Sequence, residues 1–207
     1  MNNQSRKERE KLMRRQEILQ AAIRIFAEKG FERATLDEIA EAAEFGKGTI
    51  YNYFASKEEL FFTLFHQGLE QFHQVVNQLL TQARTPLEKI EAYIDAAFDY
   101  LKKHEDHYRI ISFEIQQPSL LIGPIHQKLS EEILKELQFL TGLIREGIQE
   151  DIFVDLDAQL MARALQGLIH SQACCTLLEQ TPNYELSARL VKHVFIQGIL
   201  KPERLNP

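Results

Sequence analysis

TLDEIAEAAEFGKGTIYNYF, residues 35–54, is the stretch whose reading decides the fold. Thr35 and Glu38 form a T-x-x-E pattern, in which each side chain satisfies an open backbone N–H at a helix start. Leu36, Ile39, Ala40 and Ala43 then recur at three- and four-residue steps and face inward. Glu44-Phe45-Gly46 interrupts the period. A short helix follows from Lys47 to Phe54, with Ile50 and Phe54 on one face. Two short helices joined by a three-residue turn make a helix-turn-helix, and Ala40 is small where the two helices must meet. Gly48, Thr49 and Asn52 face away from Ile50 and Phe54, with Tyr51 and Tyr53 at the flanks. That outward face carries hydrogen-bonding groups and no large aliphatic side chain, as a helix lying in the major groove requires.

Helical periodicity continues in both directions. Upstream, Ile18, Leu19, Ala22, Ile25 and Phe26 form one buried stripe, and Lys29-Gly30 ends it. Downstream, Ser56 caps a helix reaching about Gln82, with Glu58 and Glu59 in its first turn. Thr85-Pro86 starts the next, which ends near His104. A shorter helix spans about Asp106 to Gln116. After Gln117-Pro118 and Gly123-Pro124 a long helix runs to about Gly147. The last two run from Asp157 to Glu179 and from Asn183 to Ile199, with Pro182 between them and Pro202 beyond. No strand alternation and no internal repeat occurs. The expected fold is all-α with about nine helices. Residues 1–57 are expected to form an N-terminal arm and helix-turn-helix DNA-binding domain, and residues 58–207 a helical effector-binding and dimerisation domain.

Charge separates the same two parts. The 207 residues carry a net charge of −6, with 44% hydrophobic and 26% charged residues, an ordinary soluble composition. Residues 1–57 hold 11 Lys+Arg against 9 Asp+Glu, whereas residues 58–207 hold 13 against 21. Within residues 1–33 the balance is 9 to 5, so the positive charge gathers at the front of the chain. For Arg6 to Arg15 a solvated tail remains the alternative. No apolar run approaches the roughly 18 residues of a membrane span, and Met1 to Arg15 is too polar for a secretory signal. The two cysteines, Cys174 and Cys175, are adjacent and have no distant partner. A reducing compartment, the cytoplasm, is expected, with no membrane association.

Residues 18–65, ILQAAIRIFAEKGFERATLDEIAEAAEFGKGTIYNYFASKEELFFTLF, resemble the DNA-binding domain of the TetR (tetracycline-repressor-like) regulators, most clearly in KGTIYNYFASKEEL. The rest of the chain agrees in layout. The resemblance implies that Lys47 and Gly48 lie nearest the base edges, Gly48 letting the backbone approach closely. It implies that Tyr51 touches base and backbone, and that Thr49, Asn52 and Tyr53 meet phosphates. Thr35 would offer phosphate a helix N-terminus, and Lys57 would be a phosphate-binding cation. The alternative for Tyr53 is a place in the core, and for Lys57 a solvated charge. Two departures stand out. The family turn begins with Gly where this chain has Glu44, and the recognition helix is usually capped by Ser where this chain has Gly46. Glu44 would be strained if the backbone there is left-handed.

The family also implies a dimer that binds a palindromic double-stranded operator, since one recognition helix covers only a few base pairs. The last two helices would pair with their copies through Ala164, Gly167, Ser171, Cys174, Leu178, Leu190, Val194 and Phe195. An intramolecular core would use the same residues. The middle helices are rich in aromatics, and a cavity among helices is where effectors of such proteins bind. Phe65, Phe72, Tyr93, Ala97, Phe98, Phe113, Leu137 and Ser171 are candidate lining residues for a small apolar or aromatic effector that would release a repressor. No cofactor is expected. Nor is a metal: His66 and His73 share a face, but no third ligand keeps their spacing. An enzyme is disfavoured by the lack of a phosphate loop, nucleophile elbow or Cys-x-x-Cys pair, and Ser171 beside His170 points about 100° away on a helix. The remaining alternative is a helical scaffold or protein-interaction module without effector control.

Overall fold

A computed structural model describes residues 6–116 and 124–201, of which 111–116 and 124–125 are described in backbone alone. Among the described residues there are nine helices: α1 (Arg6–Arg33), α2 (Leu36–Ala42), α3 (Lys47–Tyr51), α4 (Lys57–Leu80), α5 (Pro86–Lys103), α6 (Glu105–Gln116), α7 (Pro124–Gln149), α8 (Ala158–Leu178) and α9 (Tyr184–Ile199). No strand occurs among them, and an isolated antiparallel bridge joins Phe153 to Leu200. None of these helices is long and apolar enough to cross a membrane.

Helix starts follow local capping chemistry. Thr35 and Thr85 both close full capping boxes, with Glu38 and Glu88 at the third helical position. Asp157 and Asn183 accept from Leu160 N and Leu186 N, and the Ser56 hydroxyl accepts from Glu59 N. The largest departure from the expected spans is α1, whose helical pattern runs from Arg15 in the sequence but which begins at Arg6. Helix α3 ends at Tyr51 instead of Phe54, and a further turn carries Phe54 N back to Ile50 O.

The chain packs as two compact units, residues 1–68 with 106–129 and residues 69–105 with 130–207. The first unit is the head. Ile18, Leu19, Ala22, Ile39, Ala40 and Ile50 are buried there at 2% exposure or less. Phe26, Phe31 and Phe61 stack edge to face, with the Phe31 and Phe61 centroids 4.9 Å apart. Gly30 interrupts α1 with φ 75° and ψ 164°, a conformation essentially restricted to glycine, and so turns Phe31 inward.

In the second unit α9 packs against both α5 and α8. The buried carboxylate of Glu136 sits among rings. Tyr93 OH donates to its Oε1 at 2.6 Å, and His73 Nε2 meets its Oε2. Both oxygens are therefore partnered, as a carboxylate removed from water requires. The hydrogen bond to Glu136 holds the His73 imidazole above its ordinary pKa. Phe72 and Phe139 pack on Tyr93 with centroids 5.6 and 6.4 Å away. Beyond α7, Val154 N donates to Ile199 O and Lys201 N to Ile152 O, so the end of α9 is clipped to residues 152–154. Phe153, fully buried, lies directly over Gly147 of α7, where a β-carbon would collide with its ring.

Gly147→Ala should therefore destabilise the protein by about 1–3 kcal/mol through overpacking. Gly142→Ala, earlier in the same helix and in open space, should stabilise it by up to about 1 kcal/mol through helix propensity. Thermal unfolding of the two variants checks the contrast, and equal shifts would mean that Phe153 moves aside without cost.

Candidate nucleic-acid interface

The head is built so that α3 turns one face inward and leaves the other open. Ile50 and Phe54 are buried at 0% and 1% exposure, whereas Tyr51 is 56% exposed. Lys47, Gly48 and Asn52 are also exposed, and Thr49 and Tyr53 are half-buried. No intramolecular contact explains Gly48: a β-carbon there would meet nothing within 4 Å. The same holds for Gly46, which starts α3 in an extended conformation without any side-chain cap. The Lys47 ammonium is paired with Asp37, both side chains being well exposed. A surface pair of this kind is weak and readily exchanged for another anion.

The turn between α2 and α3 is a Schellman motif. Glu44 N donates to Glu41 O at 3.0 Å and Phe45 N to Ala40 O at 2.9 Å, and Glu44 holds φ 58°. The strain expected at Glu44 is thus present: a residue with a β-carbon occupies the left-handed position that glycine usually fills. Asp151 repeats the arrangement after α7, with φ 59° and Ile152 N on Gly147 O.

Two of the expected phosphate groups have other partners. The Thr35 hydroxyl closes its capping box, accepting from Glu38 N and donating to Glu38 Oε2. Lys29 Nζ, at 2.8 Å, and then Thr35 hold the Glu38 carboxyl below its usual pKa. Lys57 is likewise engaged within the head. Its ammonium donates to three carbonyls, Phe31 O at 2.8 Å, Ala34 O at 3.0 Å and Glu32 O at 3.2 Å. It also lies 4.4 Å from the Phe31 ring centroid. These carbonyls are the open acceptors at the end of α1, so all three donors of Lys57 are engaged inside the head rather than turned toward phosphate.

The residues expected to line an effector cavity do not form one group. Phe65 is buried in the first unit. In the second unit Tyr93, Ala97, Phe98 and Leu137 are buried and Phe72 is half-buried. The Phe113 side chain lies outside the described residues. Ser171 is exposed on α8 and lines nothing internal. A cavity of about 400 Å³ opens along α5 and α9. Of the expected residues it touches Phe98, alongside Leu79, Ala188, Asp99, Lys102, Arg189 and the Asp95–Lys192 pair. The Glu136–His73–Tyr93 cluster escaped sequence reading because its members come from three separate helices.

On α8 and α9 the expected interface residues divide. Ala164, Gly167 and Ser171 are exposed, as are Leu178 at 83%, Leu190 at 48% and Val194 at 50%. Leu160 and Leu186 extend the same exposed face. Cys174 is half-buried, its Sγ 3.7 Å from His170 Nε2. Phe195 is the exception: at 5% exposure it is core of its own chain, because it lies about 100° around α9 from Val194, on the covered side.

A helix-turn-helix whose second helix presents donors outward, carried on an otherwise helical chain, defines a DNA-binding regulator. Comparison with known proteins agrees. Residues 18–64 match the bacterial regulatory proteins of the tetR family. The chain is 28% identical over 186 residues to the fatty acid metabolism regulator protein of Bacillus subtilis, covering 88% of this chain and 94% of that one. It is 27% identical over 154 residues to the transcriptional repressor KstR2 of Mycobacterium tuberculosis, covering 74% and 76%. The crystal structure of FadR from Bacillus subtilis in complex with stearoyl-CoA superposes with a TM-score of 0.78 at 27% identity, over 89% of this chain and 98% of that one. Residues 18–64 of this chain thus form a DNA-binding domain of the tetR-family type, and the relatives the chain matches are regulators of that family. The chain is a sequence-specific DNA-binding transcriptional regulator and not an enzyme.

Glu44→Gly should raise the melting temperature slightly, since removing a β-carbon from a left-handed position relieves on the order of 1 kcal/mol against a smaller gain in unfolded-chain freedom. Unfolding at low and high salt tests this, and a less stable variant at both would show that Glu44 is not strained. Lys57→Ala should lower stability by on the order of 2 kcal/mol, because it leaves carbonyls without their charged donor. It should not change the salt dependence of DNA binding; a Lys57 that neutralised a phosphate would instead flatten the slope by about 0.9 when replaced. Gly48→Ala should fold normally yet lose operator affinity, measured by fluorescence anisotropy. Unchanged affinity would mean that no DNA approaches the backbone at Gly48.

Proposed function

We propose that the protein is a ligand-responsive repressor that binds a palindromic operator as a dimer and is released by a fatty-acyl coenzyme A. The outward face of α3 reads the operator, with Lys47 and Gly48 nearest the bases and Thr49, Tyr51, Asn52 and Tyr53 completing the contact. Residues 1–57 serve as the DNA-reading part and residues 58–207 as the sensing and pairing part. The exposed apolar face of α8 and α9 supports the dimer. Leu160, Leu178, Leu186, Leu190 and Val194 together form an apolar surface that a lone soluble chain seldom leaves open. A second copy covers it in a two-fold, self-complementary interface. Cytoplasmic location accompanies this role, since the operator lies there.

The likeness that carries the effector class is the one to the Bacillus subtilis regulator in complex with stearoyl-CoA. The second unit suits an acyl chain. Phe72, Tyr93, Tyr100 and Phe139 form an aromatic cluster with a single buried polar station at Glu136. An apolar site with few convergent polar groups is the usual form of a small-molecule pocket.

Titrating the protein on an operator, selected from random DNA, with stearoyl-CoA should release the DNA. Coenzyme A alone should not, and neither should Ala97→Trp protein respond while it still binds the operator. A selected pool without two-fold symmetry would sink the dimer reading. Operator binding that no acyl-CoA chain length alters would sink the effector reading.

A further inference from the structure

The first turns of α1 have no packing role. Residues 6–14 are all exposed, yet they continue a regular helix that enters the core only at Ile18. Their charge is strongly sided. Lys7, Lys11 and Arg14 follow one another at four- and three-residue steps, and the next members of that row are the buried Ile18, Ala21 and Ala22. The cationic row therefore prolongs the face by which α1 grips the rest of the head, at the point where the head has ended. Glu8 and Glu10 fall on its two flanks, and Glu10 is engaged by Arg6. Lys7, Lys11 and Arg14 form no ion pair with any described residue. One contact, made by the residue next to Arg14, places this stretch of α1 beside the recognition segment. The Arg15 guanidinium lies 5.0 Å from the centroid of Phe54, at the far end of the recognition segment. A helix rises 1.5 Å per residue, so Lys7 stands about 12 Å beyond that contact.

We propose that this arm is a second DNA-contacting element: Lys7, Lys11 and Arg14 bind the sugar-phosphate backbone flanking the sequence read by α3. The proposal rests on the DNA-binding reading of the head and adds to it a partner surface outside the helix-turn-helix. A row of unpaired cations beside the recognition segment meets the phosphates that continue past the bases it reads. Such contacts carry no sequence information and set affinity and register. An arm that merely solvated the chain would gain nothing from gathering its unpaired cations on one side.

The full-length protein is compared with the triple variant Lys7→Gln, Lys11→Gln, Arg14→Gln, in which helix propensity is preserved, and with Arg9→Gln on the opposite face. Anisotropy across a salt series is read on the selected operator with and without roughly one helical turn of flanking DNA. On the longer duplex the triple variant should show a slope of log K against log salt that is shallower by about 0.9 for each phosphate it no longer neutralises, near three per bound protomer. Trimming the flanks should weaken the wild type and leave the triple variant unaffected, and Arg9→Gln should behave as wild type. An unchanged slope in the triple variant, or an equal change in Arg9→Gln, would overturn the proposal. A wild-type protein that binds neither duplex would overturn the DNA-binding reading instead.

Discussion

The head depends on one ammonium group. Lys57, the first residue of α4, reaches back to Phe31 O, Glu32 O and Ala34 O and covers the face of the Phe31 ring. Those carbonyls end α1 and lead directly into the cap of α2 at Thr35. One charged donor thus fixes the junction of three helices, and α3 is oriented against that junction through α2. Hydrogen bonds to a charged group each contribute about 1.5–3 kcal/mol and are directional. A hydrophobic contact of equal strength would hold the helices together without fixing their angle. The site is prepared by Gly30, whose backbone turns the chain so that Phe31 enters the core and its carbonyl faces Lys57.

The three described residues with positive φ show how finely backbone strain is graded. Glu44 and Asp151 hold φ of 58° and 59° in Schellman turns, a region that side chains enter at moderate cost. Gly30, with ψ 164°, lies where a β-carbon is essentially excluded. The chain uses glycine where nothing else fits and accepts a carboxylate where strain is tolerable. At Glu44 this also puts a negative charge near the start of the recognition helix, where it favours the helix dipole and repels phosphate.

The second unit answers a different constraint. A carboxylate, Glu136, is buried among aromatic rings, and such a group is costly unless both oxygens are bonded. Tyr93 and His73 supply those bonds from α5 and α4, so three helices are tied at a polar point inside an apolar cluster. At its surface the same unit leaves the α8 and α9 face apolar and open. Within this unit a carboxylate is therefore held inside an apolar cluster while apolar side chains stand open on its surface.

Much of this was legible in the sequence. The helix start at Thr35 was readable because a cap bonds a backbone N–H three residues away, and a three-residue spacing is visible in a string; the start after Thr85 was marked by Pro86. The inward faces of α1, α2 and α3 and the open outward face of α3 followed from periodicity, whereas the left-handed Glu44 was expected from the resemblance, whose turn carries Gly there. What the sequence could not decide were bonds across long separations. Lys57 reaches carbonyls 23 to 26 residues away, and Glu136 is held by side chains 43 and 63 residues away. Nor could it separate Phe195 from Val194, which are equally apolar neighbours. Their fates differ because α5 and α8 cover one side of α9 and leave the other bare. Local hydrogen bonding and hydrophobic period fixed the helices and the reading face. Only the packing of distant helices decided where each polar end goes, and which apolar face is left over.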